Sequence, residues 1–336
     1  MSPDPFVLYS LILKSRLFEL AVKRLWEAGL ISGEMHTGLG EEAIIAGIVS
    51  QLQDGDALAL DHRGTSPLLM RGVDPVLLLR EFLGRPDGLC GGLGGHMHLF
   101  SKSHLAASSG IVGASGPAAT GFGLAASYLR PNSLSVSFFG DGAVNSGMLM
   151  ESMNLASAWN LPVLFVCKDN QWAITTKSNS VTGGKLLDRA HGFGLHALEV
   201  DGLDVLVVWQ VAREALERVR TGKGPVFILA HCVHLEGHFL GDPLLDMTRK
   251  PGDALKSVMP IVKSLFKSKG APARQRINAL ASILGIISEA QGQTRQFNDP
   301  LLKAQQALSR EDAKRIETLE ESLLDEVQRI VEEAVG

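Results

Sequence analysis

Apolar positions recur every three to four residues from Phe6 to Gly29 and again through Glu41 to Leu52, which predicts two amphipathic helices. A loop-rich zone follows from Asp61 to Gly113, and beyond Gly121 the pattern changes. Short, nearly continuous apolar runs now alternate with helical ones. Gly121–Leu129 reads as a helix, Leu134–Gly142 as a buried strand ending in a turn, Ala143–Trp159 as a helix and Pro162–Asn170 as a second buried strand. Leu195–Gly202 and Gly224–Cys232 read as strands around the helix Asp204–Arg220. Such strands are buried on both faces, so the fold class is α/β, a parallel sheet with helices on both faces. Ser309 to Val335 opens with a capping-box pattern, Ser309 to Asp312. Apolar residues at Ile316, Leu319, Leu323, Val327, Ile330 and Val331 make it a long amphipathic helix. Residues 1–249 are read as an α/β domain and 250–336 as a helical C-terminal extension.

Composition narrows the function classes. The chain has 336 residues, 45% of them apolar, with 32 Lys plus Arg against 36 Asp plus Glu and a net charge of −4. That balance leaves no overall positive field for nucleic acid or acidic membrane, so neither is expected as a partner. Three scattered cysteines, Cys90, Cys167 and Cys232, suit a reducing compartment better than a disulfide framework. Lys14, Arg16 and Glu19 interrupt the first apolar run, which therefore reads as an amphipathic helix rather than a signal or a span. A cytoplasmic location is expected, although a mature organellar protein would look the same. In Cys90–Phe100, four glycines in five positions indicate either backbone approaching something closely or a mobile loop.

The chemistry lies at two strand ends. Asp141, within Gly140-Asp141-Gly142, follows one predicted strand, and Asn170 follows the next, 29 positions on. That spacing is one strand, crossover helix and strand, so both side chains emerge at the same carboxyl edge of the sheet. Carboxylate, amide and carbonyl oxygens are the hard donors Mg²⁺ prefers, with phosphate oxygens and water completing its shell. Gly142 and a helix starting near Ala143 would offer backbone N–H groups to a diphosphate. Either motif alone would usually be a turn. Together they read as a metal and diphosphate cradle.

With these residues in place, Gly140-Asp141-Gly142 and Asn170 are similar to the thiamine-diphosphate signature, and the flanking text resembles the α-subunits of 2-oxo acid dehydrogenases. The resemblance runs from Phe6 to about Pro243 through residues 36–48, 62–72, 91–98, 110–117, 140–170, 187–195, 200–209, 222–225 and 237–243. The pyruvate and acetoin dehydrogenase branch is the most similar. It implies a thiamine-diphosphate-binding fold with Asp141, Asn170 and the Trp172 carbonyl as Mg²⁺ ligands and with Gly142 and Ala143 on the diphosphate. It further implies that Arg63 pairs with the diphosphate beside His62, and that Gly110 and Val112 hold the aminopyrimidine. Taken alone, Val112 would be a core valine. His238 is implied in diphosphate binding and in acyl transfer to a lipoyl arm. The resemblance also implies a small-molecule substrate, a 2-oxo acid or acetoin. Its partners would be a β-subunit in an α2β2 heterotetramer, supplying the carboxylate that activates the cofactor, and a lipoyl-bearing acyltransferase.

Departures from the family pattern are Thr65 where many relatives have histidine, His96 where serine is common, Glu236 where a basic or aromatic residue is common, and Phe239 in place of a phosphorylated serine. Phosphorylation at that last position is thereby excluded. The Met148, Leu149 and Met153 group is either core or partner-facing. Lys256, Lys263, Lys267, Lys269, Arg274 and Arg276, with no acidic residue from Ala254 to Ser288, form either a docking patch or a solvated basic face. Two other functions stay open: a split-subunit carboligase or two-carbon transferase, and a non-catalytic structural subunit. A nicotinamide site at Gly121–Ala126 is a weak reading, since no acidic residue closes a following strand at the required distance.

Overall fold

The apolar runs become strands because each buries both its faces. In this computed structural model, which describes residues 3–242 and 299–336 except 309–311, with scattered residues between 243 and 298, seven strands form one sheet. The strands are β1 (Ala57–Leu60), β2 (Phe100–Ser101), β3 (Ala106–Ser108), β4 (Ser135–Gly140), β5 (Val163–Asp169), β8 (His196–Asp201) and β9 (Val226–His231). A separate ribbon pairs β6 (Trp172–Ala173) with β7 (Thr176–Lys177). The order across the main sheet is β2-β3-β1-β4-β5-β9-β8, parallel throughout except for the β2 edge.

Side chains alternate between two cores with the strand period of two. Val136, Phe138, Leu164, Val166 and Ile228 face α2 (Glu42–Val49) and α9 (Val205–Arg220), with α1 (Pro5–Glu27) outside them. Phe139, Phe165, Cys167, Phe227 and Leu229 face the opposite way, toward α5 (Ser115–Leu129) and α6 (Gly147–Ala158). Gly140 pairs with Lys168, and Lys168 with Ala230, so β4, β5 and β9 finish level at one carboxyl edge.

Two expectations change, and a third reading, already weak, is removed. The zone from Asp61 to Gly113 is not simply loop: it contains α3 (Thr65–Met70), α4 (Pro75–Phe82), β2 and β3. These elements are too short for periodicity to register, although the Asp74 cap and Pro75 at the first turn of α4 were readable signals. No continuous helix starts near Ala143. Asp141–Asn145 form a 3₁₀ turn, Ser146 is extended, and α6 begins at Gly147. The residues Gly121–Ala126 lie inside α5, so no strand-to-helix phosphate turn exists there.

The glycine-rich loop resolves toward close approach. Glu81 on α4 is fully buried, and its carboxylate accepts the backbone N–H groups of Cys90 (2.7 Å), Gly92 (2.9 Å) and Gly94 (2.7 Å). At Gly92, φ is +74° and a Cβ would lie 2.6 Å from the Gly84 carbonyl oxygen, so only glycine fits.

The C-terminal helices α10 (Pro300–Gln306) and α11 (Ala313–Val335) dock on the N-terminal half. Asp299 caps α10 and takes two bonds of 2.9 Å from Arg16 on α1. Tyr9 donates to Glu320 at 2.7 Å, and Lys14 pairs with Glu326 at 2.8 Å. Ser309 of the expected capping box lies outside the described residues, and Asp312 stands at the cap of α11 without a side-chain bond to it. Lys256, Lys267 and Lys269 likewise lie outside; of that segment Lys263 and Arg274 are exposed and Arg276 half-buried. Among the described residues no helix is long and apolar enough to cross a membrane.

Glu81→Ala should destabilise the chain by about 3 kcal/mol, because three loop N–H groups lose a charged acceptor. Urea unfolding of the variant checks the value, and protease cutting within residues 88–98 should accelerate with it.

Candidate active site

A cavity of about 390 Å³ opens at the carboxyl edge of the sheet. Segments leaving four parallel strands converge on it: Asp61 to Arg63 after β1, Asp141 to Ala143 after β4, Asn170 to Ile174 after β5, and His234 with His238 after β9. The loop Ser109–Gly113 forms a further wall. His62, Arg63, Gly110, Val112, Asp141, Gly142, Ala143, Asn170, Trp172 and His238 all line this one space. His36, Glu41, Asp61 and His234 line it as well; His36 and Glu41 fall within the family-like stretch 36–48, but the resemblance assigns a role to none of the four.

Asp141 is 1% exposed, and the Ser178 hydroxyl of the short helix α7 (Ser178–Val181) donates to its Oδ2. Burial raises its carboxyl to about 7, with Asp169 adding to the rise and the Ser178 bond opposing it. A carboxylate buried at that cost is one a counter-cation would relieve. One terminal atom of the Asn170 amide lies 2.9 Å from the Trp172 carbonyl oxygen and 3.1 Å from Asp141 Oδ1. Adjacent ligands of an octahedral ion with bonds of about 2.1 Å are about 3.0 Å apart, so this donor set fits Mg²⁺. The N–H groups near an anion come from the 3₁₀ turn at Asp141–Asn145 rather than from α6. At Gly142 a Cβ would come 2.7 Å from the Ala173 side chain, which keeps that backbone bare.

Beneath the cavity lies a cluster of buried charge. Glu41, at the start of α2, is bonded by Lys168 at 2.6 Å and by His234 Nε2 at 2.8 Å. Burial alone would raise its pKa, but Lys168, His234 and Arg63 outweigh that and hold it well below the carboxylate range. Lys168 also reaches Asp61 at 3.0 Å and is 1% exposed. Arg63, 2% exposed, donates to the carbonyls of Thr37 and His238, the latter at 2.8 Å. Its guanidinium is thus already oriented along the cavity wall.

The imidazoles of His36, His62 and His238 line the same cavity and lie close together. The His36 ring lies 4.7 Å from that of His62, 4.9 Å from His238 and 5.2 Å from His96. His96 Nε2 accepts the His36 backbone N–H at 3.2 Å, so it also accepts His36 Nδ1–H at 2.9 Å. That arrangement leaves His36 Nε2 as an acceptor. His62 Nε2 is buried with no partner among the described residues, a polar atom suited to a ligand. Burial first, and Arg63 second, lower His62 to about 3 and His238 to about 4, so both rings are neutral at pH 7.

The reading of Val112 alone as a core valine is corrected: it is 64% exposed, because its loop projects over the cavity instead of packing into the sheet. The Met148 group divides, with Leu149 and Met153 buried and Met148 exposed. Thr65 is buried in the first turn of α3, Glu236 pairs with Lys23 at 2.9 Å, and Phe239 packs edgewise on His36. A readable signal for the charge cluster existed in Lys168, a lysine inside an otherwise apolar strand run.

The model of the family described as "Dehydrogenase E1 component" matches residues 12–273. The chain is 41% identical over 216 residues to the α-subunit of acetoin:2,6-dichlorophenolindophenol oxidoreductase from Cupriavidus necator, covering 64% of this chain and 65% of that protein. The subunit of the same name from Bacillus subtilis is 40% identical over 238 residues, 70% of this chain and 71% of that one. Pyruvate dehydrogenase E1 component subunit alpha from Zymomonas mobilis is 35% identical over 291 residues, 84% of this chain and 81% of that one.

Lys168→Met should cost about 3–5 kcal/mol in stability, because Glu41 and Asp61 lose their shared buried cation. Urea denaturation at pH 7 measures it.

Proposed function

The chain belongs to the dehydrogenase E1 component family, and from that membership we propose that it is the α-subunit of a thiamine-diphosphate-dependent oxidoreductase acting on a pyruvate-like 2-oxo acid or on acetoin. One observation carries the reading: Asp141, Asn170 and Trp172, whose oxygens converge, line the same cavity as Arg63 and His238. Mg²⁺ would be held by those three oxygens. The diphosphate would lie against the backbone of Gly142 and Ala143, the Arg63 fork, and the imidazoles of His62 and His238. Gly110 and the exposed Val112 would support the aminopyrimidine. When bound, the cofactor supplies a carbon nucleophile and an electron sink for decarboxylation or carbon–carbon cleavage.

What the chain itself contributes is binding, orientation and proton handling. Arg63 meets the diphosphate charge without reorganising, since its guanidinium already bonds two carbonyls. His238, neutral at working pH, can accept a proton or pass one on as the acyl group leaves for a lipoyl arm. The carboxylate that activates the aminopyrimidine is assigned to a β-subunit. Support for such a partner comes from the apolar rim of the cavity, where Ile111 is 62% exposed, Val112 64% and Ile174 55%. We assign an α2β2 assembly, a lipoyl-bearing acyltransferase as acceptor, and residues 1–249 as the cofactor domain with 250–336 as its helical extension. The three unpaired thiols suit a reducing compartment, and we assign the cytoplasm. The carboligase and non-catalytic readings are weaker, since the relatives are named as dehydrogenase or oxidoreductase α-subunits and the charged groups of the site are in place.

Calorimetric titration of thiamine diphosphate with Mg²⁺ tests the reading, on the chain alone and co-purified with its β-subunit. Binding is expected in the pair, and its absence from both samples would overturn the assignment. In the pair, Asp141→Ala should abolish Mg²⁺-dependent retention of the cofactor while the melting curve stays cooperative. Arg63→Ala should weaken cofactor affinity by about tenfold or more, the worth of a charged hydrogen bond. Equal affinity with the unsubstituted protein would remove Arg63 from the site.

A further inference from the structure

The Asn170 amide has two ends, and only one of them can bind a cation. The atom facing Asp141 Oδ1 (3.1 Å) and the Trp172 carbonyl (2.9 Å) is a metal ligand if it is oxygen. If it is nitrogen, it donates to both and satisfies them without any ion. The surroundings decide which end points where.

His234 Nε2 lies 2.8 Å from Glu41 Oε1, and a carboxylate only accepts, so Nε2 carries a proton. Arg63 Nη2 lies 3.3 Å from His234 Nδ1, and a guanidinium only donates, so Nδ1 presents its lone pair. The Asn170 atom 2.9 Å from that lone pair must then be the NH₂ group. The backbone N–H of Trp172 points at the other end of the amide from 3.3 Å, which again requires oxygen there. The three oxygens therefore face one another with no amide NH₂ hydrogen between them, an arrangement that a cation stabilises.

We propose that His234, held by Glu41, is a positioning residue that locks the Asn170 amide with its oxygen toward the cation site. The proposal rests on the reading of Asp141, Asn170 and the Trp172 carbonyl as metal donors. Without the ring nitrogen as acceptor, the long Trp172 N–H bond remains to oppose a turn of the amide that closes the site on itself, and a cation must first turn it back. Partners of this kind, one bond removed from a ligand, typically change metal affinity by about 10- to 100-fold.

The test is Mn²⁺ binding to the full chain co-purified with its β-subunit in saturating thiamine diphosphate, read from the electron paramagnetic resonance of free Mn²⁺. His234→Phe, which removes donor and acceptor, should weaken Mn²⁺ by about tenfold or more. His234→Gln, which keeps one of each, should recover most of that loss. In an Asn170→Asp background both ends of the side chain are oxygen, so adding His234→Phe should change affinity by less than about twofold. Melting curves identify any variant that fails to fold, and the Gln variant and the Asp background then carry the test. Unchanged Mn²⁺ affinity in His234→Phe, or an undiminished loss in the Asp background, would overturn the proposal. Asp141→Ala separates the two levels: if it too leaves Mn²⁺ affinity intact, the metal assignment itself fails.

Discussion

The site is organised around one buried carboxylate. Glu41 sits at the start of α2 with almost no solvent contact, and an ion in that position is tolerable only if opposite charge and hydrogen-bond donors surround it. Lys168 comes from β5, His234 from the segment after β9, and Arg63 from the segment after β1. Satisfying one charge thus ties together the ends of three strands and the start of a helix. Those are the segments that carry the cavity wall.

Tight approach at this edge is built into the backbone. Gly40 has φ +104°, and a Cβ there would run into the carbonyl oxygen of Val233, so the entry to α2 rests directly on the chain leaving β9. The Gly40 N–H donates to Glu42 at 2.7 Å, and Glu42 in turn bonds Arg16 at 2.5 Å. Arg16 holds Asp299, so the packing that seats the C-terminal helices continues into the packing that seats the site.

Two kinds of polar surface meet in the cavity. Oxygens and a buried acid favour a cation, and a guanidinium with neutral imidazoles in the same cavity favours an anion or a polar organic group. A magnesium-bound diphosphate presents both kinds of charge, and beside it an apolar loop leaves Ile111 and Val112 exposed. The departures from the family pattern fit the same frame: His96 is bonded to His36, and Glu236 has its own lysine, so neither stands as an unpaired charge at the entrance.

Much of this was legible in the amino-acid sequence. Strand-length apolar runs fixed by glycine turns indicate the parallel sheet, and the spacing of Asp141 and Asn170 places both at its carboxyl edge, because a strand, helix and strand of that length admits little else. The short elements between Asp61 and Gly113 were not legible from periodicity, since helices of six and eight residues and strands of two and three show no period, and only the Asp74-Pro75 start of α4 left a local signal. Nor was the partner of the glycine-rich loop, Glu81, because a carboxylate that caps loop N–H groups leaves no pattern of its own. What tertiary structure alone decided is which distant polar groups share a charge. Glu41, Lys168 and His234 lie far apart in the chain, and proximity, burial and the direction of each donor, which set the orientation of Asn170, exist only once the sheet has brought them together.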